Sequence, residues 1–173
     1  MKIKAPDIPS SRSITALWLI LLIASGTIVT AWFFQLALGY IPCKLCLWQR
    51  IPYYVGIPLA AVALVVLARG APVKFAQLAL VLLALVFLAS TALGAYHAGV
   101  EWSLWLGPSD CGGAIATGPA KVGDLMSAIE NSKVVSCTAA SWRLFGLSMA
   151  GWNAIISGMI TGISCAALTS KAL

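Results

Sequence analysis

Four stretches of this chain, Ile14 to Leu38, Ile51 to Ala68, Phe75 to Ala95 and Leu144 to Leu168, contain no Asp, Glu, Lys, Arg or His. Each is long enough to cross about 30 Å of hydrocarbon as a helix. The first is not a cleavable signal, because its apolar run far exceeds the roughly 7–15 residues of a signal core and no small-residue cleavage pattern follows. The remaining composition agrees: 61% of the 173 residues are hydrophobic and 9% charged, and the mean hydropathy is +0.96, far from a soluble globular domain. These features predict an all-α membrane protein, a single domain over residues 1–173 built as a four-transmembrane-helix bundle. The spans fall at about 14–38, 51–68, 75–95 and 144–168, with connecting loops at about 39–50 and 96–143 on one side.

Lys and Arg flank the spans unevenly. The N-terminal tail carries Lys2, Lys4 and Arg12 against Asp7, the link between spans two and three is Arg69-Gly70-Ala71-Pro72-Val73-Lys74, and the C-terminal tail holds Lys171 without an acid. With four spans these segments share one side, and the bias of basic residues in short flanks makes that side cytoplasmic. Both termini are then cytoplasmic, and the two other loops face outward. Topology accounts for the net charge of +6. The basic residues form no run, so no nucleic-acid partner is expected.

The polar chemistry lies in the two outward loops. The first contains Cys43-Lys44-Leu45-Cys46, with Pro42 before it and Arg50 after it. Two intervening residues let the thiols close a bond of about 2 Å without backbone strain. A helix N-terminus and a nearby cation both favour the thiolate, and the start of span two and Arg50, one helical turn past Cys46, offer both. Arg50 itself has two readings: it hydrogen-bonds a carbonyl oxygen of a membrane-borne cofactor, or it anchors the helix at the headgroups. Pro52 reads as a first-turn residue of span two, and Pro58 as a kink within it.

The second loop carries Cys111 and Cys137, too far apart in sequence to show whether they pair. Two cysteines in an extracytoplasmic loop usually form a structural staple, whereas beside a Cys-x-x-Cys they can exchange with it. Gly107 to Gly113, around Cys111, is rich in turn formers and predicts a mobile segment. Val122, Leu125, Met126 and Ile129 recur at helical spacing and predict a short helix, lying on the membrane surface or packed on its own loop. His97, the single histidine, and Glu101 fall just past span three, at the same boundary as Arg50. His97 reads either as a satisfied polar group or as one that moves protons or contacts a cofactor. A structural zinc site draws on two close-spaced ligand pairs, so no metal is expected here. Cys165, in the fourth apolar run, reads as a small buried hydrophobe.

Cys43-Lys44-Leu45-Cys46 followed by Arg50, Cys111 and Cys137 in the second loop, and Trp142-Arg143-Leu144-Phe145-Gly146-Leu147-Ser148-Met149 leading into span four together resemble the disulfide bond formation protein B (DsbB) family. The resemblance covers essentially the whole chain. It implies a thiol oxidase of the bacterial inner membrane that re-oxidises a periplasmic, thioredoxin-fold, DsbA-like dithiol oxidase and passes the electrons to ubiquinone or menaquinone. By that resemblance Cys111 forms the mixed disulfide with the partner and Cys137 resolves it. Cys43 and Cys46 form the quinone-proximal pair, Cys46 touching the quinone as a thiolate, with Arg50 and His97 as the quinone contacts. Two other classes compete: a membrane metal-binding or transport protein using the thiols as ligands, and an enzyme similar to vitamin K epoxide reductase, whose Cys-x-x-Cys lies within a late span rather than before span two.

Overall fold

The computed structural model describes residues 11–108, 133–134, 137–138, 140 and 142–169. Its helices are α1 (Ser11–Leu36), α2 (Lys44–Ala68), α3 (Val73–Glu101) and α4 (Met149–Thr169), and between them lie four two-residue strands, β1 (Tyr40–Ile41), β2 (Lys133–Val134), β3 (Arg143–Leu144) and β4 (Leu147–Ser148). All four helices are long and apolar enough to cross a membrane, so the chain is a four-span, all-α membrane protein. The helices touch in cyclic order, α1 on α2, α2 on α3, α3 on α4 and α4 back on α1, while α1 and α3 barely meet across the diagonal. Leu22, Val29, Phe33, Leu78, Leu85, Leu88 and Ile155 turn outward, the arrangement expected where the surrounding solvent is hydrocarbon.

A seam of heptad spacing explains the packing. On α3 the residues Ala76, Leu80, Leu83, Phe87, Ser90, Gly94, His97 and Glu101 are all buried, at alternating steps of four and three, the spacing that keeps one helical stripe against its neighbours. On α2 the buried stripe runs Leu45, Gln49, Tyr53, Gly56, Ala60, Ala63, Leu67. Association in lipid depends on close backbone approach at small residues. At Gly94 an added Cβ would lie 2.9 Å from the backbone nitrogen of Ala154, so α3 and α4 meet there with no side chain between them. Midway along the bundle the Tyr53 hydroxyl donates to Asn153 Oδ1 at 2.7 Å and lies 3.1 Å from Ser157 Oγ, which donates to Ser90 Oγ at 2.9 Å. These bonds tie α2, α3 and α4 together and satisfy buried hydroxyls.

Three boundaries depart from the apolar-stretch reading, and all three concern the end of the bundle that carries the cysteines. α2 starts at Lys44 rather than near Ile51, because Cys43, extended at φ −73 and ψ 171, caps it with its sulfur. Pro52 therefore lies inside the helix and not in its first turn. α3 continues to Glu101, which puts His97 and Glu101 on a helix. α4 starts five residues late, because β3 and β4 pair as an antiparallel hairpin around Phe145 (φ 52) and Gly146 (φ 81), two consecutive positive φ values of the kind a tight two-residue hairpin needs. Cys165 is exposed on α4, so its apolar surroundings are lipid and not the protein core. Cys111, the turn-rich segment around it and the short helix expected from Val122 to Ile129 lie outside the described residues.

Candidate functional site

The first loop and the second are joined by a parallel pairing, Tyr40 with Lys133 and Ile41 with Val134. Cys43 follows β1 by two residues and Cys137 follows β2 by three. The pairing brings the loops side by side, and Cys43, Leu45 and Cys137 form one buried cluster with Cys46 and Leu93 packed on it. Cys43 and Cys137 are both 0% exposed. Cys137 is disulfide-bonded, while Cys43 and Cys46 are free thiols.

The two sulfurs of Cys43 and Cys46 are 2.9 Å apart. Cys43 stands at the N-terminus of α2, where its sulfur accepts the Cys46 backbone N–H at 3.3 Å. Its thiol is lowered to about 5: the Cys46 thiol hydrogen bond contributes most, burial opposes it, and His97 and the backbone N–H of Cys46 add to the lowering. Shared protons and the helix N-terminus both favour a thiolate in such a pair. His97 Nε2 is 4.0 Å from the Cys43 sulfur, and its Nδ1 lies 2.6 Å from the Gln49 side-chain amide nitrogen. Glu101 Oε1 is 4.0 Å from the same Nε2.

Beside this cluster is a cavity of about 490 Å³, within the size range of small-molecule sites. Its polar end is lined by Gln35, Cys46, Gln49, Arg50, His97 and Glu101, and its walls continue along α1 from Gln35 to Leu22 with Ile156 of α4 opposite. At 1.5 Å per residue that wall is about 20 Å long. The cavity exists because α1 packs tightly only in its first half: its buried residues are Ser13, Ala16, Leu17, Ile20 and Ala24. Leu22, Gly26, Thr30 and Leu144 of the lining are exposed on the bundle's outer surface, so the cavity opens sideways where lipid would lie.

Arg50 is 9% exposed and turned inward, not toward headgroups. It donates to Gln35 Oε1 at 2.6 Å and to the Ala31 carbonyl at 3.3 Å, and its guanidinium lies 5.3 Å from the Trp32 ring centroid. Of the residues singled out from the sequence, Cys43, Cys46, Arg50, His97 and Cys137 converge at this one end, and Cys111 lies outside the described residues. Gln35 and Gln49, which hold Arg50 and His97, went unnoticed in the sequence. Their signal was present: each is the one uncharged amide within a helical turn or two of a singled-out residue or span end. Among the described residues, Cys43, Cys46 and His97 bring ligand atoms within 4.8 Å of one another, three where a closed zinc site takes four, and Cys137 is in a disulfide. The arrangement is that of a dithiol on the wall of a laterally open, polar-headed cavity.

The family described as disulfide bond formation protein DsbB matches residues 12–167, nearly the whole chain. The uncharacterized protein RP370 of Rickettsia prowazekii (strain Madrid E) is 24% identical over 129 residues, 74% of this chain and 72% of that protein. No solved structure matches.

Proposed function

The chain belongs to the DsbB family of disulfide bond formation proteins, and from that premise we propose that it is a thiol:quinone oxidoreductase of the bacterial inner membrane. It re-oxidises a DsbA-like periplasmic dithiol oxidase, with both cysteine loops periplasmic and both termini cytoplasmic. Electrons pass from the partner to Cys111 and Cys137, from these to Cys43 and Cys46, and from there to ubiquinone or menaquinone. The observation that carries this reading is a Cys-x-x-Cys whose second sulfur lines a cavity polar at one end, apolar along its length and open toward lipid. A polar head on a long apolar tail fits that shape.

Each residue then has a task set by its place. Cys137 packs against Cys43, so once the second pair is reduced its thiolate attacks the Cys43 sulfur of the Cys43–Cys46 disulfide. That step forms a Cys137–Cys43 bond and releases Cys46 as thiolate, with electrons and bonds conserved. Cys46, unlike Cys43, lines the cavity, so the sulfur set free is the one facing the acceptor. Arg50, held by Gln35 and the Ala31 carbonyl, presents a fixed cation and hydrogen-bond donors to a carbonyl oxygen at the polar end. A bound quinone supplies the two-electron acceptor.

The test is quinone reduction by purified protein with reduced DsbA-like partner. Cys43→Ala and Cys46→Ala should each abolish it, and undiminished turnover in either variant would sink the reading. Stoichiometric zinc on the purified protein, with no thiol-dependent quinone reduction, would favour the metal-binding class instead.

A further inference from the structure

Glu101 is a buried acid that the proposed electron path does not use. Its side chain is 4% exposed, and Oε2 has no hydrogen-bond partner among the described residues. It lines the same cavity as Cys46 and Arg50. The groups around it come from three elements: His97 on its own helix, Ser148, whose hydroxyl hydrogen-bonds the carboxyl, and Arg143 from the hairpin, and Cys43 and Cys46 from the start of α2. Arg143 is exposed and forms no ion pair with it within 4.0 Å among the described residues. A buried carboxyl without a paired cation is expensive to keep as a charge and is best tolerated where it changes protonation state.

We propose that Glu101 is the proton carrier of the site: through His97 it takes up the proton that the Cys43–Cys46 pair releases on oxidation and delivers it into the cavity. The proposal rests on the thiol:quinone reading above. His97 presents one nitrogen, Nε2, to both the Cys43 sulfur and Glu101 Oε1, each at 4.0 Å, distances that a side-chain shift of about 1 Å closes to a hydrogen bond. Its other nitrogen is held by the Gln49 amide. An amide meets that nitrogen as donor or, turned over, as acceptor, so either ring tautomer is accommodated. Ser148 is itself fixed by accepting the Gly151 N–H at 3.2 Å, which steadies the carboxyl.

The step balances. The reduced pair, Cys43 as thiolate and Cys46 as thiol, becomes a disulfide, giving two electrons to the quinone and the Cys46 proton to Glu101 by way of His97, whose ring lies within 4.8 Å of both sulfurs. The quinone needs two protons to become the quinol. Glu101 supplies one, and the other enters from water at the cysteine end of the bundle, replacing the proton lost when the thiolate formed.

The first test needs no quinone. A reduced-minus-oxidised infrared difference spectrum of the quinone-free protein should show a protonated-carboxyl band that E101Q lacks; no such band, or a band that survives in E101Q, overturns the proposal. The second is electron transfer from pre-reduced protein to a short-tailed ubiquinone analogue. General acid–base catalysis contributes typically 10²–10⁴-fold, so E101Q should slow this transfer by about 100-fold or more and flatten its pH profile. E101D should restore part of the rate. A wild-type rate and pH profile in E101Q overturns the proposal. Should E101Q fail to assemble, E101D must still shift the infrared band, and an unshifted band is equally decisive against it. If the unaltered protein passes no electrons to quinone, the thiol:quinone reading fails, and the infrared result still reports on Glu101 separately.

Discussion

Removing the Cys46 sulfur tests how the dithiol is poised. The Cys46 thiol is the largest of the influences that hold Cys43 at about 5 instead of the ordinary 9.0, so Cys46→Ala should return Cys43 toward the ordinary value. At pH 7 a group at about 5 carries about 100 thiolates for each thiol, and a group at 9.0 the reverse. Alkylation rate would hide this difference. Intrinsic nucleophilicity falls with pKa at a slope of about 0.4–0.5, so a shift of about four units changes it by a factor of about 60 in the opposite sense. Ultraviolet thiolate absorbance counts thiolates directly and is the assay to use, on quinone-free protein carrying Cys165→Ser to remove the outlying thiol. The unaltered pair should show one thiolate appearing with a midpoint near 5, and Cys46→Ala a midpoint several units higher. The sign carries over to stability. A thiol lowered by folding stabilises the fold fully above its ordinary range, and that contribution is lost as pH falls through about 5. A Cys46→Ala midpoint still near 5 would refute the account and leave His97 and the N-terminus of α2 as the groups that hold the thiolate.

Other consequences are equally direct. Arg50→Lys keeps the charge but loses the forked donor set; one lost charged hydrogen bond to a quinone carbonyl, about 1.5–3 kcal/mol, should raise quinone Kd by roughly 10- to 150-fold, while the lost contact to α1 should lower the melting temperature, and unaltered affinity would remove Arg50 from the site. An added Cβ at Gly26 meets nothing within 4 Å, and the residue lines the apolar part of the cavity. Gly26→Leu should therefore raise KM for long-tailed quinones while sparing a short-tailed analogue, and an equal effect on both would show that the tail does not run there. Gly94→Val forces a side chain against the Ala154 backbone, so overpacking of about 1–3 kcal/mol should lower the thermal midpoint in detergent; an unchanged midpoint would mean that α3 and α4 are not held by this approach.

Much of the site was legible because its residues are chemically unusual for where they stand. Cys43, Cys46, Arg50 and His97 are polar or reactive groups at the ends of charge-free runs, and the structure gathers them at one end of the bundle. The helix boundaries were less legible for a related reason. A charge-free run marks what lipid tolerates, not where hydrogen bonding begins, so it missed the polar first turns of α2, capped by Cys43, and the final turns of α3 that carry His97 and Glu101. The apolar hairpin before α4 was hidden in the same way, since Leu144 and Leu147 read as span residues until the positive φ of Phe145 and Gly146 turns the chain back.

By itself the sequence determined the number of spans and the presence of a dithiol beside a cation. Both follow from local properties: the cost of burying charge in hydrocarbon and the reach of two thiols two residues apart. Only the tertiary structure decided which groups meet. The parallel pairing of β1 with β2 sets Cys137 against Cys43, and the seam of α3 turns His97 and Glu101 inward. The looseness of α1 beyond Ala24 opens a cavity onto which Cys46, and not Cys43, looks. Those contacts join residues dozens of positions apart, and their free energy comes from packing and desolvation that exist only once the helices are assembled.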